Sequence, residues 1–450
     1  MIPDTPPSSA VIVGLGRTGL SCARYLAARG WRLAVTDTRL EPPERAHLQQ
    51  LDARIPVRLG GLDPALLEEA RYVVASPGVS LEDPFFARAR ARGIEIVGDV
   101  ELFARAVAAP IAGITGTNGK STVTTLVGRM AERAKVRTRV GGNLGEPALD
   151  LLAPTSPLPG DATQLYVLEL SSFQLQATQS LKLKAAALLN ITPDHLDRHR
   201  SLSAYAQAKG RIFAACETAV INLDDPLVAQ QLSPGQQHLS FSLLPDSGAD
   251  FCIGPTADAH GWLMRRGTPL LAAAQLKIKG LHNVANALAA LAIGEALELP
   301  LPAMLAELAD FAGLPHRSQW VAEVAGVTYI NDSKGTNVGA TLAAVGGLAG
   351  PLVLIAGGEG KGQDFAPLVA LRGKVRHAVL IGRDAPVLAA ALAGVCGTER
   401  CGSLEDAVRR AARLARSGDT VLLSPACASL DMFRDYAERG AVFTQAVKEL

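Results

Sequence analysis

Ile111-Ala112-Gly113-Ile114-Thr115-Gly116-Thr117-Asn118-Gly119-Lys120-Ser121-Thr122 is the stretch on which the fold turns. Its first four residues read as a buried strand. The glycine-rich turn and Lys-Ser pair that follow open a helix running to about Ala134. Strand, glycine loop and helix start are the parts of a phosphate cradle, with Lys120 reaching terminal phosphates and the Ser121 hydroxyl placed for Mg2+. The strict G-x-x-x-x-G-K-[ST] spacing fails, because Ile114 stands five residues before Gly119 and glycines flank that position at 113 and 116.

Outward from this loop the same alternation recurs. Short apolar runs predict strands at Val11–Val13, Arg32–Val35, Tyr72–Ala75, Ile111–Ile114, Tyr166–Leu168, Ala186–Leu189, Ala219–Asn222, Val327–Ile330, Leu352–Ile355, Ala378–Ile381 and Val421–Leu423, separated by Ala/Leu-rich helical segments. That pattern predicts an α/β fold in which helices cover both faces of mostly parallel sheets. With 450 residues there is room for about three domains. Breaks near Gly98-Asp99 and Gly313-Leu314-Pro315 suggest divisions at 1–98, 99–313 and 314–450. Ala153–Gly160 and Leu244–Gly254 read as polar surface loops.

Composition narrows the class. Lys+Arg (44) nearly balance Asp+Glu (43), and 48% of residues are hydrophobic, which argues against disorder and against nucleic-acid binding through overall charge. The six cysteines lack zinc-site spacing, so they read as reduced thiols. Neither a leader-like start nor a long apolar span is seen, and the expectation is a soluble, cytoplasmic protein, without membrane insertion and monomeric.

A second glycine loop, Gly14-Leu15-Gly16-Arg17-Thr18-Gly19, follows a strand and opens the predicted helix Thr18–Ala28, and Asp37 ends the next strand. NAD is the obvious ligand for that arrangement. Two features pull away from it: Thr38-Arg39 follows the acid, with a cation suited to phosphate or carboxylate, and the other nucleotide loop lies downstream. A uridine diphosphate fits the same geometry.

Further chemistry sits at strand ends. Glu169 closes the apolar run before Leu170-Ser171-Ser172-Phe173, and a hard oxygen ligand there would complete an Mg2+ site with Ser121. Asn190-Ile191-Thr192-Pro193-Asp194-His195-Leu196-Asp197 follows another strand. By residue type alone His195 is a surface-loop residue and Lys209 a solvated helix lysine.

Gly116–Ser121, the Asp194-His195-Leu196-Asp197 segment, Leu281-His282-Asn283-Val284-Ala285-Asn286, His316-Arg317 and Asn331-Asp332-Ser333-Lys334-Gly335-Thr336 together resemble the Mur ligase and folylpolyglutamate synthetase superfamily. The resemblance covers essentially the whole chain. The glycine loop preceding the ATP loop favours the Mur branch over folylpolyglutamate synthetases. Asp37-Thr38-Arg39, Ser76-Pro77-Gly78, Gly141–Gly145, Gly357–Lys361 and Ser424–Asp431 look like its D-glutamate-adding members.

The resemblance implies a Rossmann-like amino-terminal domain, a central P-loop-type ATPase domain and a Rossmann-like carboxy-terminal domain. It implies ATP-dependent joining of D-glutamate to UDP-N-acetylmuramoyl-L-alanine, with two Mg2+ ions. ATP would be held by Gly116, Thr117, Asn118, Gly119, Lys120, Ser121, Thr122, Asn283, Asn286, Arg317, Asp332 and Lys334. The UDP-substrate falls to Arg17, Thr18, Asp37, Thr38, Arg39, Gly78, Asn143 and His195. D-glutamate falls to Thr336, Lys361, Ser429, Leu430 and Tyr436, the last a position where the family often has phenylalanine. Lys120, His195, Lys209 and Lys334 would be catalytic, and Ser121, Glu169, His195 and a carbamylated Lys209 would hold metal. A reactive acyl phosphate further implies closure of the carboxy-terminal domain to exclude water.

Overall fold

The computed structural model describes residues 8–152, 162–245, 247–254, 261–278, 280–348, 350–360 and 362–450. The expected loop at 153–160 therefore lies outside the described residues, as does Lys361. Among the described residues, twenty strands form three sheets.

The first sheet contains β1 (Ser9–Val13), β2 (Arg32–Asp37), β3 (Val57–Leu59), β4 (Tyr72–Ala75) and β5 (Glu95–Val97), ordered β3-β2-β1-β4-β5 with every pairing parallel. β1 sits where the strand order reverses. Its carboxyl end therefore opens on a crevice between connections that leave in opposite directions, the place where such sheets bind ligands.

The central sheet contains β6 (Ile111–Thr115), β7 (Thr138–Gly142), β8 (Leu165–Glu169), β9 (Leu183–Leu188), β10 (Cys216–Asn222), β11 (His238–Ser242), β12 (Phe251–Gly254), β13 (Trp262–Arg265) and β14 (Thr268–Ala272). Their order is β14-β13-β12-β11-β10-β9-β6-β8-β7, and β6 again marks the reversal. Every residue of β6 and β8 is buried, which explains why both read as unbroken apolar runs instead of alternating ones. The loop expected over Leu244–Gly254 is corrected at its end, because Phe251–Gly254 pairs in parallel with β11; the run is too short to stand out against its polar flank.

The third sheet contains β15 (Gln319–Val324), β16 (Val327–Asn331), β17 (Leu352–Gly357), β18 (Val375–Ile381), β19 (Gly397–Arg400) and β20 (Thr420–Leu423), ordered β15-β16-β20-β17-β18-β19. Only β15 is antiparallel to its neighbour. Each predicted strand is present, with Leu189 just beyond the end of β9. The helix after the first loop spans Arg17–Ala27 and that after the second Lys120–Arg133, each within a residue of expectation at its ends.

Contacts divide the chain into two compact units. One comprises Met1–Pro255, Leu263–Leu270 and Asn286–Glu307; the other comprises Thr256–Trp262, Leu271–Ala285 and Leu308–Leu450. The first two sheets share a unit because their cores are continuous. A single apolar cluster runs from Ile12 and Leu26 through Val100 and Phe103 to Leu168 and Tyr205, and the Phe103 and Tyr166 rings meet edge to face at 5.2 Å. The chain crosses between these sheets at Gly98, whose amide donates to the Ala177 carbonyl.

Candidate functional site

The loop after β6 is held open by its own backbone. Gly116 and Gly119 adopt φ of 152° and 83°, values that cost a side-chain-bearing residue steric strain. A Cβ on Gly119 would also lie 2.4 Å from the Asn286 amide oxygen. Asn283 is one turn earlier on the same helix, Leu281–Ala296, and is buried. The loop is fastened on its other side by a residue that the sequence reading quoted but gave no role. The Asn118 amide donates to Asn190 Oδ1 at 2.8 Å, and Asn190 Nδ2 returns a bond to the Asn118 carbonyl at 3.1 Å. Thr117 Oγ1 lies 3.3 Å from the Tyr205 hydroxyl.

Lys120 curls back on the loop, donating to the Gly116 and Thr117 carbonyls at 2.9 and 2.8 Å. Ser121, the next residue of the helix, donates its hydroxyl proton to Glu169 Oε2 at 2.6 Å. The other oxygen of that carboxylate accepts from Asn143 Nδ2 at 2.7 Å. Adjacency of β6, β8 and β7 in the sheet is what brings these three together. Glu169 is 3% exposed, so it is no strand-end surface acid.

Lys209 corrects its reading by residue type. The helix Leu202–Gly210 turns the side chain inward, leaving it 2% exposed. Its ammonium donates to the Gly116 carbonyl at 2.8 Å, and it lies 4.7 Å over the Tyr205 ring. Burial, and then the neighbouring positive charge of Lys120, pull its pKa down to about 7. His195 adopts the left-handed region at φ 51° with its side chain 50% exposed, and its ring meets Phe173 edge to face at 5.1 Å.

At the carboxyl end of β1 the first glycine loop is tied to Asp37, whose Oδ2 accepts from the Leu15 amide at 2.7 Å. The same carboxylate takes Arg39 through its backbone amide, Nε and Nη2 at 2.7 to 2.9 Å. Burial alone would raise the Asp37 pKa, but the Arg39 and Leu15 donors outweigh it and hold the carboxyl below the usual range. Thr38 and Arg39 are exposed. Arg17 reaches from this loop to the Gly145 carbonyl at 2.8 Å, and Gly78 presents its carbonyl to Arg198 Nη1 at 3.0 Å. Asn143, Glu169, Lys209 and the Lys120 loop thus converge, whereas Asp37, Thr38 and Arg39 form a separate cluster in the same unit.

The second unit carries its own cluster. Asp332, after β16, is 8% exposed, and burial pushes its carboxyl up to about 6 against donors from Ser424 Oγ and the Ser318 amide. Arg317 precedes that serine. Lys334 places its ammonium 3.8 Å from the centre of the Tyr436 ring. Thr336 closes the turn through its amide to the Lys334 carbonyl. Ser429 is buried and Leu430 is 60% exposed. Arg439, which carried no signal within an ordinary helix, is fully buried and reaches Ser333 Oγ, the Ser333 carbonyl and the Cys427 carbonyl at 3.0, 2.8 and 3.2 Å. It thereby pins the turns after β16 and β20 together. Burial lowers its pKa to about 10.

Three family profiles match in succession. The Mur ligase MurD-like N-terminal domain covers residues 8–98, the Mur ligase middle domain 114–294 and the Mur ligase glutamate ligase domain 316–427. The UDP-N-acetylmuramoylalanine–D-glutamate ligase of Nitrosococcus oceani is 52% identical over 98% of this chain and 97% of its own length. That of Pseudomonas aeruginosa is 50% identical over 98% of each. Among solved structures, the UDP-N-acetylmuramate-alanine ligase of Thermotoga maritima matches 98% of this chain and 99% of its own with a TM-score of 0.58 at 19% identity, a likeness of fold. With half of all residues shared along nearly the full length of such relatives, the chain belongs to the UDP-N-acetylmuramoylalanine–D-glutamate ligase family of Mur ligases.

Proposed function

We propose that the protein joins D-glutamate to the L-alanyl carboxylate of UDP-N-acetylmuramoyl-L-alanine in the cytoplasm, consuming ATP and releasing ADP and phosphate. One observation carries the reading: a single buried carboxylate, Glu169, is shared between Ser121 of the phosphate loop and Asn143. A nucleotide residue and an acceptor-side residue are thereby held on one group.

The donor chemistry there fits Mg2+. Ser121 and Glu169 offer hard oxygens beside a phosphate loop, and among the described residues no three or more His, Cys, Asp or Glu side chains cluster as a metal site. The remaining ligands of each ion would be phosphate oxygens and water, as Mg2+ prefers. Ser121 and Glu169 would hold one ion, and His195 with a carbamylated Lys209 the second. Bound there, Mg2+ would neutralise phosphate charge. Carbamylation requires a neutral amine, and a pKa of about 7 supplies one near neutrality.

In the reaction, the substrate carboxylate attacks the γ-phosphorus, ADP departs, and the amine of D-glutamate adds to the acyl carbon before phosphate leaves. Lys120 exchanges the Gly116 and Thr117 carbonyls for the transferring phosphate. Gly116–Thr122, Asn283, Asn286, Arg317 and Asp332 bind ATP, with Lys334 toward the reacting phosphate. Arg17, Thr18, Asp37, Thr38, Arg39, Gly78 and Asn143 hold the UDP-substrate. Thr336, Lys361, Ser429, Leu430 and Tyr436 surround D-glutamate, whose two carboxylates suit the lysine and hydroxyl donors. The corresponding domains are 1–98, 99–313 and 314–450, and the chain acts as a monomer.

Phosphate release from the purified chain should require UDP-N-acetylmuramoyl-L-alanine and D-glutamate together. Release independent of the UDP-substrate sinks the reading. Equal turnover with L-lysine or diaminopimelate in place of D-glutamate sinks the choice of amino acid.

A further inference from the structure

Between β9 and the helix Leu202–Gly210, the segment 194–200 does more than present His195. Arg198, three residues on, grips the loop after β4: Nη1 donates to the Gly78 carbonyl at 3.0 Å and Nη2 to the Val79 carbonyl at 3.2 Å. The same guanidinium lies 4.5 Å over the Phe173 ring. Phe173 is also the surface against which His195 rests edge to face, at 5.1 Å and 70°. On its stacked side, His199 lies parallel at 5.2 Å and 3°, itself anchored through Nε2 to Ser172 Oγ at 2.9 Å. One ring thus sets the position of three side chains from one turn. Arg200 adds an ion pair to Glu82 at 2.6 Å.

The seam that Arg198 crosses holds a small void. This cavity of about 10 Å³, room for roughly one water, is lined by Arg198 together with Ser76, Val79, Asp99, Phe173 and Gln174 among others. The two-point grip of the guanidinium ties the Gly78 loop directly to the His195 turn. A lysine has neither the fork nor the planar face to do both jobs.

We propose that Arg198 is a positioning residue that couples the UDP-substrate loop at Gly78 to the orientation of His195, with Phe173 as the pivot. The inference rests on the proposed function, because it assigns Gly78 to the UDP-substrate and His195 to the second metal position. It predicts a selective kinetic effect. Loss of the grip loosens the loop and misdirects His195 but leaves the loop after β6 to bind nucleotide, since Lys120, Asn118 and Asn190 are fastened independently of it.

The test is steady-state phosphate release by the full chain with Arg198→Ala, Arg198→Lys, Phe173→Leu and the Arg198→Ala/Phe173→Leu double variant, beside melting midpoints. Arg198→Ala should raise KM for UDP-N-acetylmuramoyl-L-alanine about tenfold and lower kcat about tenfold, with KM for ATP within about twofold of wild type. Arg198→Lys, which keeps the charge and serves as the readout if the alanine variant does not fold, should recover less than about threefold of the loss. The double variant should fall about twofold at most below Arg198→Ala, because both act through one contact. An unchanged KM for the UDP-substrate, an equal rise in KM for ATP, full recovery by lysine, or additive losses in the double variant would each overturn the coupling. Wild-type turnover that ignores the UDP-substrate would instead overturn the function on which it rests.

Discussion

Glu169 shows how little of a side chain's role lies in its type. Its buried carboxylate serves two donors, and the proposed metal role draws on its charge as well as its shape. Glu169→Gln keeps the size and one oxygen acceptor but removes the charge. Phosphate release should fall by at least about 100-fold while ATP still binds, because the loop that cradles the phosphates is fixed elsewhere; calorimetric titration with nucleotide beside the phosphate assay checks it, and near-normal turnover would remove Glu169 from the chemistry. Lys209 and Arg439 mark what the sequence hides. Both belong to helices where long cations ordinarily point to water, and only tertiary packing decides that these two point in. Arg439 sits in a helix whose sequence, Tyr436–Lys448, gives no separate sign of it. The acid at Glu169 and the loop serine were legible because strand ends and glycine loops leave marks within a few residues.

Among the elements, buried parallel strands were readable and short, partly exposed ones were not. β1, β6, β8, β17 and β20 are buried nearly throughout and announce themselves as apolar runs. β3, β5, β13 and β19 are three or four residues long with exposed positions, too short and mixed to separate from loops. The helix Asp99–Ala106 has a more specific consequence. Asp99, its first residue, is 1% exposed, and burial pushes its carboxyl from 3.8 up to about 6 even though Gln174 Nε2 donates to it at 3.0 Å. The native state therefore holds that proton more tightly than the unfolded chain. The group's stabilising share is whole below pH 4 and is lost as pH rises through about 6. Asp99→Asn, an uncharged mimic of the protonated form, should be more stable than wild type in denaturant unfolding at pH 7.5, by up to about 3 kcal/mol from a shift of roughly two pH units. The difference should vanish near pH 4; the opposite pH trend would refute the assignment.

At the scale of the whole molecule, the resemblance was carried by motifs in all three sheets, whereas the continuity of the first two cores was not legible, since no local pattern says which apolar faces meet. The proposed reaction draws on residues of both compact units, so their protection should change together. Hydrogen exchange with an ATP analogue and both substrates should slow amides at Gly116–Ser121 and at Asn331–Thr336. The analogue alone slowing only the first stretch is compatible with ordered binding, but no change at the second with all ligands present would remove those residues from the reaction.

The inward curl of Lys120 onto the Gly116 and Thr117 carbonyls carries a consequence for selectivity. Arg39 is likewise spent on Asp37, Lys209 on Gly116 and Arg198 on Gly78 and Val79. An arriving anion meets cations whose donors are already engaged, by neutral carbonyls or, at Arg39, by a carboxylate. It must trade places with acceptors the protein already owns, and only a ligand that replaces them at several points at once makes the exchange downhill. A ligand that replaces one acceptor alone gains less than one that replaces several, so discrimination begins in the resting state.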